Sequence, residues 1–313
     1  MKLLLAIAAL AVSMTAQAQS YPTKTVRFIS GVTPGSASDT MARILAEELS
    51  KKLGQPVIVE NRLGAGGLVG AKWVASQEPD GHNVMMYASA FTVSTLLNPG
   101  LDPKELVPVA TVATIPTIMI TPPGRYKTVK DFVAAAKAQP GKLNCSTAGS
   151  GSATHMALER FRAAAGFEVQ NIHTKGAGEA LTEVISGRAD CYFALVFQAQ
   201  KMKDSGKVDA HLVSGPKRTS LMPDLPTTEE AGYPNSAYNF WVGTLVAAKT
   251  PRPIIERLHN EINALVQSPD ISDRIKKLGA DPLSLSLSEF QAMIDRELKE
   301  NAELIKKAGI KAN

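Results

Sequence analysis

The stretch Val26-Arg-Phe-Ile-Ser-Gly-Val-Thr-Pro-Gly-Ser-Ala-Ser-Asp39 joins an apolar segment to an amphipathic one. Val26–Ser30 predicts a buried strand, and a helix is expected to begin near Thr40. The turn Gly31–Asp39 between them is rich in Gly, Ser and Thr. Such a turn directs free backbone N–H groups and the positive end of the helix dipole at one spot, which is typical of anion binding. Because Ser and Asp are also favoured N-caps, this stretch alone equally allows an ordinary capped turn.

The same turn chemistry recurs along the chain, at Asn61–Gly67, Ser146–Thr154 and Lys175–Gly178. Ser146-Thr-Ala-Gly-Ser-Gly-Ser-Ala-Thr154 again stands between a predicted strand and a predicted helix. Two such loops facing each other across a cleft are suited to the two carboxylates of a dicarboxylate. The glycines of Asn61–Gly67 miss the dinucleotide-binding spacing by one residue, so that turn is interpreted as a tight βα connection.

Strand and helix patterns alternate along the chain as two βαβαβ units, which predicts an α/β fold. The 313 residues exceed what one hydrophobic core usually holds. We therefore expect two lobes, each a mostly parallel sheet flanked by helices. Lobe I would comprise residues 19–118 and 242–313, and lobe II residues 119–241. The β-branched run Val109–Thr121, interrupted by Pro116, and the strand Phe240–Ala247 would cross between them, with a ligand cleft at the carboxyl ends of the strands.

The first 18 residues predict a cleavable signal peptide. Lys2 supplies the positive charge, Leu3–Val12 the apolar region, and Ala16-Gln-Ala18 the cleavage site, with cleavage after Ala18. The apolar run is too short to span a bilayer, which needs roughly 20 residues. We therefore expect export and a soluble periplasmic protein. The two cysteines, Cys145 and Cys191, lie in predicted strands. They can form a disulfide if those strands are neighbours, and otherwise remain buried thiols.

Composition and motifs exclude several other classes of protein. A net charge of +5 is too small to indicate nucleic-acid binding, and 5% aromatic residues argue against a sugar-stacking cleft. The five histidines form no metal-binding motif, so we expect no metal and no cofactor. His155 follows the second Ser/Gly loop and is either near the ligand or bonded to a carbonyl. A G-x-S-x-G motif is absent, which leaves a hydrolase using Ser, His and Asp39 as the alternative from another class.

Short segments spread over essentially the whole mature chain resemble the Bug family, the extracytoplasmic solute receptors of tripartite tricarboxylate transporters. In chain order they are Tyr21-Pro22, Leu53-Gly-Gln-Pro-Val57, Val59-Glu-Asn-Arg62, Gly64-Ala-Gly-Gly67, Pro79-Asp-Gly81, Pro140-Gly-Lys-Leu143, Leu221-Met-Pro-Asp-Leu-Pro226, Glu230-Ala-Gly232 and Ala308-Gly-Ile310. Each segment is weakly specific, whereas the ordered set is strongly so.

The resemblance implies a two-lobed periplasmic-binding-protein fold of the type II-like kind and carboxylate ligands in a deep cleft. It also implies no enzymatic activity and delivery to an inner-membrane permease, and we expect a monomer. The family's binding loops map to Val32–Asp39, Ala88–Ser89 and Thr147–His155. The predicted ligand-binding residues are Thr33, Gly35, Ser36, Ser38, Asp39, Ala88, Ser89, Thr147, Ser150, Gly151, Ser152, Thr154, His155, Lys175, Gly176 and Ala194.

Three departures from the family pattern touch the predicted pocket. Ser36 stands where relatives carry a second glycine, and His173-Thr-Lys-Gly176 replaces the common Pro-Tyr-Lys-Gly. Ala194 stands where relatives often carry an Asp that contacts an amino group, so a plain carboxylate is favoured over an amino dicarboxylate. A sensing role, in which bound ligand is presented to a membrane sensor kinase, remains the alternative to transport.

Overall fold

The computed structural model describes residues 21–98, 100–238 and 240–311. The predicted signal peptide, residues 1–18, lies outside them. The strands are β1 (Val26–Ser30), β2 (Val57–Asn61), β3 (Asn83–Ala88), β4 (Leu106–Thr114), β5 (Thr117–Thr121), β6 (Asn144–Thr147), β7 (Gln170–His173), β8 (Cys191–Leu195), β9 (Asp209–Ser214), β10 (Trp241–Ala247) and β11 (Asp281–Pro282).

Helices connect and cover these strands. They are α1 (Ala37–Leu53), α2 (Leu68–Ala75), α3 (Ala90–Leu97), α4 (Val129–Ala138), α5 (Ala153–Ala165), α6 (Ala177–Ile185), α7 (Val196–Asp204), α8 (Arg252–Gln267), α9 (Pro269–Lys277) and α10 (Leu287–Ala308), with 3₁₀ turns at Ala65–Gly67 and Pro103–Glu105. Most predicted elements are present with ends displaced by one to three residues, whereas α3, α7, β9 and β11 were not predicted.

The first sheet has six strands in the order β11-β4-β10-β3-β1-β2. The pairs β1–β2 and β1–β3 are parallel, whereas β10 runs antiparallel to both β3 and β4. Alternate side chains of β1 enter the cores on opposite faces, as the two-residue period of a strand requires. Phe28 packs with residues of α1, α8 and α9, and Ile29 packs with residues of α2, α3 and α10.

The second sheet has five strands in the order β7-β6-β8-β5-β9. Here β6 pairs parallel with β7 and β8, and β5 pairs antiparallel with β8 and β9. The helices α4 and α5 cover one face, and α6 and α7 cover the other. The α/β class is therefore confirmed. Each sheet combines the predicted parallel βαβ unit with antiparallel strands, because the strands that cross or return between the sheets run against their neighbours.

The chain passes from the first sheet to the second at Ile115–Pro116. β4 belongs to the first sheet and β5 to the second, so the break predicted at Pro116 falls between them. A proline has no backbone N–H for a sheet hydrogen bond, which favours interruption of the strand there. The N–H of Ile115 donates to the Phe240 carbonyl at 2.8 Å and so joins the two crossing segments. The exact lobe boundaries at residues 118 and 241 stay a prediction.

The two cysteines form a disulfide. Cys145 on β6 and Cys191 on β8 are register partners in adjacent parallel strands, and their Cα atoms lie 4.6 Å apart. Of the two alternatives that the sequence left open, the structure therefore contains the cross-link. It joins two strands of the second sheet beneath the loop that follows β6.

Candidate functional site

The loop after β1 is held by hydrogen bonds between close neighbours. Ser36 caps α1, and its hydroxyl accepts the Asp39 N–H at 3.4 Å. The N–H of Gly35 donates to Asp39 Oδ2 at 2.9 Å. Gly35 adopts a φ of 80°, a conformation that favours glycine. The loop thus bends back onto the first turn of α1, whose first backbone N–H groups have no carbonyl partner within the helix.

The buried side chain of Asp39 holds this loop in place. Its side chain is 1% exposed and accepts from Arg43 Nε at 2.9 Å and from Asn61 Nδ2 at 2.7 Å. Burial alone would raise the pKa of this carboxyl. The hydrogen bonds from Arg43, Asn61 and the Gly35 N–H, together with the Arg43 charge, outweigh that effect and lower it. Asp39 is therefore an ionised anchor of the loop.

The loop after β6 is held in the same way. Ser152 caps α5 and accepts the His155 N–H at 3.3 Å, and the N–H of Gly151 donates to His155 Nδ1 at 3.0 Å. Gly151 has a φ of 70°. The Thr154 hydroxyl accepts the Ala148 N–H at 2.9 Å and lies 3.0 Å from Ser152 Oγ. These bonds again fold the loop onto the first turn of a helix.

In the second loop, the buried carboxylate of Glu159 contacts His155 as Arg43 contacts Asp39 in the first loop. Glu159 Oε1 lies 3.4 Å from His155 Nε2 and accepts from Asn171 Nδ2 at 2.7 Å, and Arg162 pairs with Glu159 Oε2 at 2.6 Å. Burial would raise the pKa of Glu159. Hydrogen bonds from His155 and Asn171 and the charge of Arg162 instead lower it.

The two loops share a sequence motif as well as a geometry. Gly35-Ser-Ala-Ser-Asp39 and Gly151-Ser-Ala-Thr-His155 align without gaps, and the caps Ser36 and Ser152 have the same φ of −66° and ψ of 161°. In each loop the glycine N–H bonds to the side chain four positions later. The residue at that position also pairs with a side chain four positions further along the chain. Asp39 pairs with Arg43, and His155 pairs with Glu159. The sequence interpretation missed this repeat, although a comparison of the two loops alone would have found it.

Other predicted residues occupy different surroundings. Ala88 ends β3, and the buried Ser89 hydroxyl lies 2.9 Å from the Tyr238 hydroxyl. The Ser150 hydroxyl donates to the Lys311 carbonyl at 2.7 Å. Ala194 is fully buried within an apolar cluster.

The turn before α6 lies beside the second loop. The Thr147 hydroxyl lies 2.6 Å from His173 Nδ1, and the Thr174 hydroxyl donates to the Thr147 carbonyl at 2.9 Å. Lys175 is exposed, and its backbone N–H donates to Glu179. Gly176 comes directly before α6. Thr33 is likewise exposed, at the bend of the first loop.

Two residues near the loops were not predicted as site residues. The hydroxyls of Ser30, the last residue of β1, and of Tyr192 on β8 are buried and have no hydrogen-bond partner among the described residues. The Tyr192 hydroxyl lies near that of Thr154. A buried hydroxyl without a partner is costly, so such a group is a candidate for contact with a ligand.

The first helix after β3 connects the two loops. A Cβ on Gly151 would lie 3.1 Å from side-chain atoms of both Val93 and Leu97, so the second loop rests against α3. On the same helix, Ser94 borders another turn, since a Cβ on Gly66 would lie 2.7 Å from Ser94 Oγ. The turn that contains Gly66 contacts the start of the first loop at Gly31. The two loops are therefore linked through the side chains of α3 and the turn at Gly66 and Gly67.

An open groove elsewhere is a weaker candidate. It has a volume of about 730 Å³, lies between α5 and α10, and contains none of the predicted residues. Acidic and basic side chains alternate along it, so it lacks a convergent set of donors. Within the described part of the chain, no group of His, Cys, Asp and Glu is arranged to hold a metal ion. No helix described here is long and apolar enough to cross a membrane.

Comparisons with known proteins agree with this architecture. A model of the tripartite tricarboxylate transporter family receptor matches residues 41–310. Protein BugT of Bordetella pertussis is 29% identical over 311 residues, which cover 97% of this chain and 95% of BugT. The structure of the periplasmic binding protein BugD is 30% identical with a TM-score of 0.75, covering 93% of this chain and 99% of BugD.

Two similar structures contain a named ligand. Rpa4515 of R. palustris with adipate is 25% identical with a TM-score of 0.79, covering 93% of this chain and 99% of that one. MatC of Rhodopseudomonas palustris with bound malate is 26% identical with a TM-score of 0.76, covering 91% of this chain and 100% of that one.

Proposed function

The chain belongs to the tripartite tricarboxylate transporter receptor family, and on this premise we propose that it captures a small carboxylate in the cleft between two lobes. It then delivers the carboxylate to the permease subunits of a tripartite-type transporter in the inner membrane. The protein is exported by a signal peptide cleaved after Ala18, and it works in the periplasm as a monomer without catalytic activity.

The observation that carries the proposal is the repeated loop, Gly35–Asp39 and Gly151–His155. Each copy places the N-terminus of a helix, α1 or α5, directly after a strand that has parallel neighbours. Backbone N–H groups and hydroxyls at the positive end of a helix dipole form charge-assisted hydrogen bonds with a carboxylate. Two copies, one on each sheet, suit a ligand with two anionic ends.

The charges around the loops support an anionic ligand. The negative charge of Asp39 is paired with Arg43, and that of Glu159 with Arg162. Neither carboxylate therefore presents an unpaired charge that would repel an incoming anion. The buried hydroxyl of Ser30, which has no hydrogen-bond partner among the described residues, is a further candidate donor.

Relatives with bound ligands narrow the chemical class. The adipate-bound and malate-bound structures each hold a dicarboxylate, and both match more than nine-tenths of this chain. The absence of an acidic side chain at Ala194 favours a plain carboxylate over an amino dicarboxylate. We therefore expect dicarboxylates such as adipate and malate to be better ligands than amino dicarboxylates such as glutamate.

The test is a thermal-shift screen of mono-, di- and tricarboxylates followed by calorimetry. A carboxylate at 100 times its dissociation constant should stabilise the fold by about 2.7 kcal/mol. Ser38→Leu should abolish binding, because Ser38 is the second residue of α1 in the first loop. Ser288→Leu is the matched control: Ser288 is the second residue of α10, exposed and outside both loops.

The melting temperature of Ser38→Leu without ligand separates a binding defect from a folding defect, because Ser38 is buried. If Ser38→Leu remains folded and binds with unchanged affinity, the first loop is not part of the site. If no carboxylate shifts the melting temperature, the ligand class is wrong. Chromatography of the bound carboxylate after prolonged incubation should recover it unchanged, whereas turnover would favour the hydrolase alternative.

A further inference from the structure

The two loops are locked by side chains with different chemistry. In the first, the Gly35 N–H is accepted by the carboxylate of Asp39, whose lowered pKa keeps it ionised well into the acidic range. In the second, the Gly151 N–H is accepted by a ring nitrogen of His155. A carboxylate retains its acceptor oxygens over the physiological pH range, whereas an imidazole nitrogen accepts only while it is unprotonated.

The hydrogen bonds of His155 define its tautomer. Nδ1 accepts the Gly151 N–H at 3.0 Å and must therefore carry a lone pair. The proton then resides on Nε2, which lies 3.2 Å from the Asn171 side-chain amide and 3.4 Å from Glu159 Oε1. His155 is 2% exposed, so a rotated ring could not replace these contacts with water. The second loop is thus closed by a neutral imidazole.

We infer that His155 is a positioning residue for ligand capture. In its neutral Nε2–H tautomer, His155 holds the second loop in the conformation that binds a carboxylate. A proton on Nδ1 breaks the hydrogen bond from the Gly151 N–H and opens the loop. This inference rests on the proposed function, since it assigns a pH dependence to the carboxylate site. Acidification should weaken carboxylate binding because the second loop opens. The first loop, which is held by Asp39, should keep its conformation.

Charged or titratable groups face His155 from its own helix, α5, and from the neighbouring strand β7. On α5, Glu159 attracts a proton to the ring, whereas Arg162, itself paired with Glu168, opposes it. On β7, His173 lies edge-on with ring centroids 4.6 Å apart, and burial together with the nearby His155 lowers the pKa of His173.

Two further segments border the second loop: α3, and the chain near Lys311, an exposed and positively charged residue whose carbonyl accepts from Ser150. The side chains of Val93 and Leu97 on α3 that border Gly151 are apolar. The positive end of the α5 dipole also opposes a charged imidazole. The Gly151 N–H, which points at Nδ1, must move away before a second proton can be accommodated there.

Two isosteric variants test this assignment. In His155→Asn the side-chain Oδ1 occupies the place of Nδ1 and can accept the Gly151 N–H at any pH. In His155→Gln the amide reaches the Nε2 position and leaves the Gly151 N–H without its acceptor. The readouts are hydrogen exchange of the Gly151 amide by NMR in the ligand-free protein, and the affinity for adipate by calorimetry from pH 8 to pH 5.

In the wild-type protein the Gly151 amide should be protected from hydrogen exchange at pH 8. This protection should be lost over the pH interval in which the NMR signals of the His155 ring protons show that the ring becomes protonated. The affinity for adipate should fall over the same interval by about ten-fold, the worth of one good hydrogen bond. His155→Asn should keep the protection of the Gly151 amide across the pH range, so the loss of protection on acidification should disappear. His155→Gln should show, already at pH 8, the weak protection and affinity of the acidified wild type.

Protection of Gly151 that is unaffected by protonation of His155 in the wild type would overturn the inference, and this measurement needs no variant. Equal protection and affinity in His155→Gln and the wild type at pH 8 would also overturn it. If adipate and the other carboxylates fail to bind the wild type, the proposed function fails. The Gly151 amide then still decides whether His155 positions the loop.

Discussion

Replacing Glu297 by glutamine should make the protein more stable at neutral and alkaline pH. Glu297 on α10 is 6% exposed and accepts the Trp241 Nε1–H through Oε1 at 3.0 Å and Oε2 at 2.9 Å. The Thr92 hydroxyl lies 3.3 Å from Oε2. Burial raises the pKa of this carboxyl from 4.5 to about 7, although the hydrogen bond from Trp241 partly opposes the rise.

The magnitude follows from the two pKa values. Because the folded state holds the proton more tightly than the unfolded state, the contribution of Glu297 to stability is complete below pH 4.5 and is lost as the pH rises to about 7. At ~1.4 kcal/mol per pH unit, the full loss is about 3 kcal/mol. Glutamine cannot ionise, and its carbonyl oxygen can still accept the Trp241 N–H, so the Glu297→Gln protein should avoid this loss.

Guanidinium unfolding at pH 5, 6, 7 and 8 measures the effect. The difference in unfolding free energy between Glu297→Gln and wild type should grow in favour of the variant from pH 5 to pH 8, by up to about 3 kcal/mol. The other carboxylates contribute equally to both proteins and cancel. Glu303→Gln, an exposed change on the same helix, should leave the pH dependence unchanged. Parallel pH profiles for Glu297→Gln and wild type would refute the reasoning.

Two further changes test the frame around the site. Replacing Cys145 and Cys191 by alanine should lower the unfolding free energy by about 4 kcal/mol, because their separation of 46 residues closes a long loop; equal denaturation midpoints with and without reductant would contradict this. Gly31→Ala should lower the melting temperature by several degrees, because its Cβ would lie 2.5 Å from the Gly67 Cα. The control is Gly35→Ala, where the added Cβ meets open space and the positive φ should lower the free energy of unfolding by only about 1 kcal/mol. Equal losses of stability in the two variants would exclude the clash at Gly31.

The buried carboxylate also lies where the two sheets are joined. Arg160 on α5 pairs with Glu300 of α10 at 3.0 Å and donates to Asn301 at 3.1 Å. Asn301 in turn donates to the Thr92 hydroxyl beside Glu297 at 2.9 Å. Ionisation of Glu297 therefore occurs within a network that ties the second sheet's α5 to α3 and α10. A hinge motion on ligand binding would have to preserve or rearrange these bonds.

Elements with a strong local signal were predictable from the sequence. β1 has the predicted bounds, and α1, α5 and α10 end at the glycines that close them in the left-handed conformation. By contrast α3 was missed because its eight residues include β-branched threonines and a valine and show no polar face. Helix α7 was missed because it buries only Val196 and Ala199 and so has almost no apolar stripe.

The sequence by itself determined the local chemistry of the loops. The caps Ser36 and Ser152 bond to N–H groups three residues away, and the glycines before them bond to side chains four residues away, so these contacts are set by short-range spacing. The ordered family segments likewise indicated the receptor class before any contact was known.

Only the tertiary structure decided what supports the loops. Asn61 and Asn171 reach the buried carboxylates of Asp39 and Glu159 from neighbouring strands. Likewise, Glu297 meets Trp241 across 56 residues of sequence. Strand order and the packing of α10 bring such groups together, and no local pattern specifies either. For the same reason the disulfide and the state of the buried acids became clear only from the fold, because burial and charge pairing depend on residues distant in the chain.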